Sequence, residues 1–169
     1  MDFNEYKIGE QDEIIHLDSM DDNRNAAIAL ANQCRNTLVL QSYDLDPLIY
    51  DNADFIEAVR QVAVNSTRAR IQILIEDSRN IITSGHRLIN LMRQLTSYIE
   101  IRKISTDLKT LPDAFLVCDE TGLIYRRQTH RYEGIANFND RGRCRQLLAE
   151  FHDSWEKAVP DPELRRLHI

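Results

Sequence analysis

Arginine and histidine side chains are concentrated in one short segment of the sequence, Arg126–Arg131. Guanidinium groups form paired hydrogen bonds with phosphate and carboxylate oxygens, so the segment predicts an anion-binding site containing Arg126, Arg127 and His130. Adjacent strand residues point to opposite faces of a sheet, so both arginines can line one pocket only if a bulge intervenes. The alternative is a solvated strand end whose arginines pair with acidic side chains.

His86 is a second candidate for the same chemistry, because it follows Gly85 where a helix is predicted to begin. The unpaired amides of a helix N-terminus attract anions, and a histidine beside them could contribute a donor. A lone histidine is more often structural, and Ser84 would then be an ordinary N-cap. If the protein hydrolyses phosphodiesters, His86 or His130 would have to act as base or nucleophile.

No other pattern in the sequence predicts catalysis or metal binding. The 5 histidines form no H-x-H or H-x-x-x-H pair, and the 3 cysteines form no C-x-x-C pair. The sequences G-x-S-x-G, G-x-x-x-x-G-K and G-x-G-x-x-G are also absent. We therefore expect neither a metal ion nor a cofactor.

The elements that must position these residues alternate between strand and helix patterns along most of the chain. The predicted strands are 37–43, 70–76, 98–104, 114–118, 123–126 and 132–136. The predicted helices begin near Asp22, Asp54 and Leu88 and at Asn139 or Asp140, whereas Pro47 is expected to open a loop. Right-handed crossovers followed by a hairpin and a closing helix predict a three-layer α/β/α sandwich with a mixed sheet.

This order of elements resembles one half-domain of the phospholipase-D-like phosphodiesterases. Residues 36–43 resemble the first strand of that half, residues 68–75 its second strand, and residues 151–155 its C-terminal helix. The family carries H-x-K-x-x-x-x-D, followed six residues later by G-S-x-x-N. At the same spacing this chain has Pro112 for the histidine, Ala114 for the lysine and a retained Asp119.

The second half of the motif has changed as well. The Gly-Ser pair is replaced by Arg126 and Arg127, and the asparagine position is occupied by His130. In the resembled enzymes the histidine attacks phosphorus, and covalent catalysis cannot proceed without a nucleophile. The resemblance therefore implies a phospholipase-D-like fold without the phosphodiesterase activity.

The resemblance also implies partners. Such half-domains commonly pair about a two-fold axis, so we expect a homodimer that lacks the catalytic residues on both sides. More narrowly, the chain is similar to a bacterial domain of this superfamily that is sometimes joined to an acetyltransferase, which implies an acetyltransferase as a protein partner.

Composition and charge narrow the remaining possibilities. The chain has 169 residues and a net charge of −6, which argues against general nucleic-acid binding, although Arg141, Arg143 and Arg145 would be the residues to carry it. Residues 1–20 are polar and acidic and predict an arm or a short strand, followed by a single domain over 21–169. The start of the chain has no signal-peptide pattern and no apolar run long enough for a membrane helix, so a cytoplasmic location is expected.

Together these features predict a non-catalytic binding or regulatory module that keeps a site for a small anionic ligand. The alternatives are an active phosphodiesterase or nuclease with displaced catalytic residues, and a nucleic-acid-binding protein.

Overall fold

The computed structural model describes residues 1–105 and 110–165. The strands are Ile15–Leu17 (β1), Thr37–Ser42 (β2), Arg70–Ile75 (β3), Ile99–Lys103 (β4), Ala114–Cys118 (β5), Gly122–Arg126 (β6) and Gly134–Asn137 (β7). The helices are Met20–Gln33 (α1), Pro47–Tyr50 (α2), Ala53–Asn65 (α3), Arg79–Ser84 (α4), Arg87–Gln94 (α5), Arg141–Lys157 (α6) and Pro162–Arg165 (α7). The predicted domain also includes 106–109 and 166–169, which lie outside the described residues.

All seven strands form one sheet in the order β1-β7-β6-β5-β2-β3-β4. Strands β2, β3 and β4 are parallel, and the remaining pairs are antiparallel. Apolar side chains of α6 cover one face of the sheet, and those of α1, α3 and α5 cover the other. The α/β/α sandwich with a mixed sheet is therefore confirmed.

The helix starts follow from local capping chemistry. Asn52 accepts a hydrogen bond from the amide of Phe55 at the start of α3, and Asp140 accepts one from Arg143 at the start of α6. Of the two predicted caps for α6, Asp140 is thus the correct one. The expected loop after Pro47 is wrong, because Asp46 caps a short helix in which Pro47 occupies the first turn and needs no amide partner.

The N-terminal arm packs along its own domain. Phe3 is 2% exposed and lies against Phe138, and β1 pairs with β7. The side chain of Gln33 accepts a hydrogen bond from the amide of Ile8 and donates one to the carbonyl of Tyr6. The arm therefore extends the sheet of the same chain.

Candidate functional site

The candidate site lies at the edge of the sheet where β2 and β3 end and β5 begins. The position of the expected nucleophile, Pro112, is exposed, and the position of the expected lysine, Ala114, is buried. Proline and alanine supply neither a nucleophile nor a charge. This edge therefore lacks the two groups on which the resembled chemistry depends.

Asp119, the retained motif residue, lies at the opposite end of β5. Its carboxylate accepts hydrogen bonds from the backbone amides of Arg35 at 2.8 Å, Asn36 at 2.8 Å and Thr37 at 3.0 Å. These bonds join the turn after β5 to the segment that enters β2. Asp119 is separated from the candidate site and organises the backbone.

Arg126 lies beside Ala114, the position that the sequence resemblance assigns to a lysine. It pairs directly with Ala114 across β5 and β6, so the two side chains project from the same face. The guanidinium is 2% exposed and donates to the carbonyls of Thr129 and Arg131, at 3.4 Å and 3.0 Å. Both of these bonds come from Nη1, and Nη2 is buried without a hydrogen-bond partner.

Two tyrosines enclose Arg126. The guanidinium carbon lies 5.8 Å from the ring centre of Tyr132, whose hydroxyl donates to Asp46 at 3.1 Å. Burial raises the pKa of Tyr50, although the positive charge of Arg126 and a hydrogen bond between the two side chains oppose that rise. Within the described parts of the chain, no carboxylate forms an ion pair with Arg126.

The structure does not bring the other predicted residues into one pocket with Arg126. Arg127 is exposed, as expected from the alternation of strand side chains. His130 is also exposed, and its ring lies edge-on to Tyr43 with 4.7 Å between the ring centres. The Tyr43 hydroxyl in turn donates to Asp77 at 3.2 Å.

His86 is buried and uses both of its ring nitrogens. Nε2 lies 3.0 Å from the carbonyl oxygen of Leu45, and Nδ1 accepts a hydrogen bond from the amide of Leu88 at 3.1 Å. Burial lowers the pKa of His86, which favours the neutral ring that this arrangement requires. His86, rather than Ser84, is therefore the N-cap of α5.

The electrostatics of this edge are mixed. Partial burial and the neighbouring carboxylate of Asp46 raise the pKa of Asp44. Hydrogen bonds from Arg79 hold the pKa of Asp77 well below its usual range. A cavity of about 500 Å³ opens here, lined by Tyr43, Glu76, Asp77, Arg79, Lys103 and Thr110. Acidic and basic side chains therefore lie side by side at this edge, and Arg126 does not line the cavity.

Two further properties bear on function. Among the residues that the structure describes, no group of three or more histidine, cysteine, aspartate or glutamate side chains is arranged to hold a metal ion. In the same residues, no helix is both long enough and apolar enough to cross a membrane.

The sequence analysis missed Tyr50 and Tyr132, which lie beside Arg126, and Asp46, which binds the hydroxyl of Tyr132. Asp46 followed by Pro47 is a recognisable start of a helix, and that signal could have placed α2 beside the strand end. The bond from Tyr132 to Asp46 joins residues 86 positions apart, and no local pattern predicts it.

Solved structures with a similar fold come from different functional contexts. TrmBL2, an archaeal chromatin protein, matches with a TM-score of 0.65 and 18% identity over 90% of this chain and 54% of TrmBL2, so the chain spans about half of that protein. Nuc from Salmonella typhimurium, a phospholipase D family member, has a TM-score of 0.63 and 13% identity, covering 88% of this chain and 99% of Nuc. NucT from Helicobacter pylori has a TM-score of 0.60 and 13% identity, covering 88% of this chain and 100% of NucT.

These likenesses confirm the phospholipase-D-like fold and, at such low identity, nothing beyond the fold. No curated protein matches the sequence. A family model does match, over residues 19–167, which is nearly the whole chain apart from the N-terminal arm. The chain therefore belongs to the family described as "Domain of unknown function (DUF7931)".

Proposed function

We propose that this protein is a non-catalytic binding module, a pseudo-phosphodiesterase, that holds a small anion through Arg126. The absence of a catalytic step is supported by Pro112 and Ala114 at the positions of the nucleophile and the lysine. His86 offers no replacement, because both of its nitrogens are engaged by backbone groups.

The observation that carries the proposal is the buried guanidinium of Arg126. A buried charge without a counter-charge is costly, and such charges are normally paired. The partners of Arg126 are neutral: it donates to two carbonyls and interacts with the hydroxyl of Tyr50, and its buried Nη2 has no close hydrogen-bond partner. Because Arg126 is paired with Ala114 across the ladder, it places a positive charge close to where the lysine of an active enzyme would stand.

An anion can reach Arg126 only if the chain segment that covers this side chain moves. The side chain is 2% exposed, and the chain that follows it, residues 127–133, provides the carbonyls that it binds. The hydroxyl of Thr129, in the same segment, is also buried without a partner. A ligand with several oxygens would satisfy both Arg126 and Thr129 when this segment opens.

The test compares hydrolysis with binding in the purified full chain. We expect no cleavage of bis(p-nitrophenyl) phosphate, together with a saturable rise in Tm in the presence of inorganic phosphate, sulfate or a nucleoside monophosphate. Arg126→Met should abolish the rise, because it keeps most of the side-chain length and removes the charge. The matched control is Arg127→Ala, which should leave the rise unchanged.

Different outcomes separate the alternatives. Cleavage that disappears in His130→Ala would establish an active phosphodiesterase with a displaced residue. A flat thermal response to every anion would remove Arg126 as a ligand-binding group while leaving the non-catalytic assignment in place. If Arg126→Met and Arg127→Ala reduced the rise in Tm equally, the anion effect would come only from general surface charge.

Nucleic acid is the second candidate ligand, because TrmBL2 is described as binding DNA. The residues that would carry it here are Arg141 and Arg145, which are exposed, and Arg143, which lies over the ring of Tyr125 at 4.9 Å. Reversal of the charges at Arg141 and Arg145 should then abolish oligonucleotide binding, and affinity should fall steeply with salt. The net charge of −6 opposes this mode.

We also propose that the module works with protein partners. A homodimer would follow the pairing of phospholipase-D-like halves, and an acetyltransferase would be the partner suggested by the related bacterial domain. Light scattering of the purified chain decides the first. Co-expression with an acetyltransferase from the same organism, followed by size-exclusion chromatography, tests whether the two proteins form a complex.

A further inference from the structure

A groove of about 580 Å³ runs along the outer edge of β4, on a different side of the molecule from Arg126. Met92 of α5, Leu164 of α7 and the start of β4 provide its apolar walls. Both Met92 and Leu164 are buried, at 7% and 3% exposure, so the groove continues the core toward the surface. Its size is that of a typical ligand site.

Some of the backbone groups of β4 that point away from β3 are unpaired along this groove. Tyr98 and Ile104 bond to β3, whereas the amide and carbonyl of Lys103 point away from it and pair with Val159. Because backbone groups alternate in direction along a strand, those of Ile101 also point outward. Within the described ranges, the amide and carbonyl of Ile101 and the carbonyl of Ile99 have no hydrogen-bond partner.

The segment after α6 pairs with this edge at one residue, Val159, and then turns away from it. The Lys103–Val159 pair is antiparallel, with N···O distances of 2.8 Å and 3.0 Å. Two residues further on, Asp161 would oppose Ile101, but its side chain instead accepts from the Ser78 hydroxyl and caps α7. The turn into α7 therefore leaves Ile101 open, although 5% exposure makes an unpaired backbone there costly.

The charges around the groove select the kind of partner. Arg70, Arg93 and Arg165 line it, and none of them forms an ion pair with any residue in the described parts of the chain. Of the acidic groups that also line it, Glu100 is paired with Arg102 at 3.0 Å, whereas Asp161 accepts a hydrogen bond from the Ser78 hydroxyl and keeps its charge. Three arginines against one unpaired carboxylate leave a net positive charge at the groove, which fits a partner rich in carboxylates.

We propose that the edge of β4 binds an extended acidic peptide segment of a partner protein as an additional antiparallel strand. One residue of the peptide exchanges two hydrogen bonds with Ile101, and the residue two positions later donates to the carbonyl of Ile99. An apolar side chain of the peptide enters the groove between Met92 and Leu164. Flanking carboxylates lie beside Arg70 and Arg165. This inference is independent of the anion site at Arg126.

The test uses three synthetic six-residue probes with the full chain. The first alternates glutamate and valine, the second replaces glutamate by lysine, and the third is the first with its central backbone nitrogens methylated. We expect the first to bind at least about ten-fold more tightly than either of the others in fluorescence anisotropy, a difference of about 1.4 kcal/mol. Hydrogen exchange of the Ile101 amide should slow at least about ten-fold when the first probe is bound.

Protein variants locate the site. Arg70→Glu and Arg165→Glu should weaken the first probe and strengthen the lysine probe, and Arg127→Glu, on a distant surface, is the matched control. Equal affinity for the methylated and unmethylated probes would overturn the strand-addition model. Protection of the Ile101 amide that grows with protein concentration, without any probe, would show that a second copy of the chain occupies the edge. That result would overturn the assignment to a peptide partner.

Discussion

The two ends of β5 differ in what their side chains can do. At one end Asp119 is retained, and its carboxylate accepts three backbone hydrogen bonds that hold the entry to β2. At the other end, the positions that the sequence resemblance assigns to the nucleophile and its lysine hold Pro112 and Ala114, which supply neither group. If the resemblance holds, the residue that organises the backbone remains and the residues that would react are absent. The difference separates a structural requirement from a chemical one within eight residues of sequence.

Placing a lysine at position 114 tests how completely the start of β5 has been repacked. Ala114→Lys should destabilise the protein by at least about 3 kcal/mol, because a second cation would be buried directly opposite Arg126. Urea unfolding followed by circular dichroism measures the change. Pro112→His, at an exposed position, is the control and should change stability by less than about 1 kcal/mol. A well-tolerated Ala114→Lys would mean that the site is still built to accept a lysine.

Removing the carboxylate of Asp119 tests whether the other end of β5 depends on it for stability. Asp119→Ala should cost about 2 kcal/mol, because the amides of Arg35, Asn36 and Thr37 lose a charged acceptor. Asp119→Asn should cost about half as much, because it keeps one acceptor oxygen and tolerates the positive φ of 53° at this position. Glu120→Ala is the matched control. A loss of ligand binding without a loss of stability in Asp119→Ala would contradict the structural role.

The smallest expected effect concerns His86, beside the chemical end, and depends on pH. Burial lowers its pKa in the folded protein, so the unfolded chain binds the proton more readily. The stabilising contribution of His86 is therefore complete above its ordinary pKa of about 6.5 and is lost as the pH falls below that value. Asp51 and Asp44 favour protonation, whereas Arg87 disfavours it.

His86→Asn gives this prediction a direct readout. Asparagine can still cap α5 but is too short to reach Leu45, so the variant should be less stable by about 1 kcal/mol at pH 8. The difference in Tm between the wild type and the variant should shrink steadily between pH 7 and pH 5. A difference that stays constant over this range would show that His86 is not held neutral.

Local sequence patterns were sufficient for most of the fold. The apolar run at β3 predicted a buried parallel strand, and the stripe that ends at Phe151 and Trp155 predicted the face of α6 that packs on the sheet. These elements can be predicted because the residues that they bury recur at a fixed spacing within a short stretch of sequence. The capping roles at Asp140 and Asn52 are local for the same reason.

The candidate site could be predicted only in part, because its contacts join distant parts of the chain. The alternation rule correctly placed Arg126 and Arg127 in different environments. The same rule could not show that Arg126 would be buried between Tyr50 and Tyr132, nor that His86 would bind the carbonyl of Leu45, 41 residues away. The free edge of β4 could not be predicted from the sequence either, since it depends on where the chain after Val159 turns.

The N-terminal arm limits how copies of this molecule can assemble through their sheets. By adding β1, a strand of only three residues, the arm leaves one side of the sheet with little backbone to offer. The other side, β4, is longer, although Lys103 is already paired with Val159. Two copies joined through β4 would present only their short β1 edges outward, which favours a closed pair over growth into a fibre.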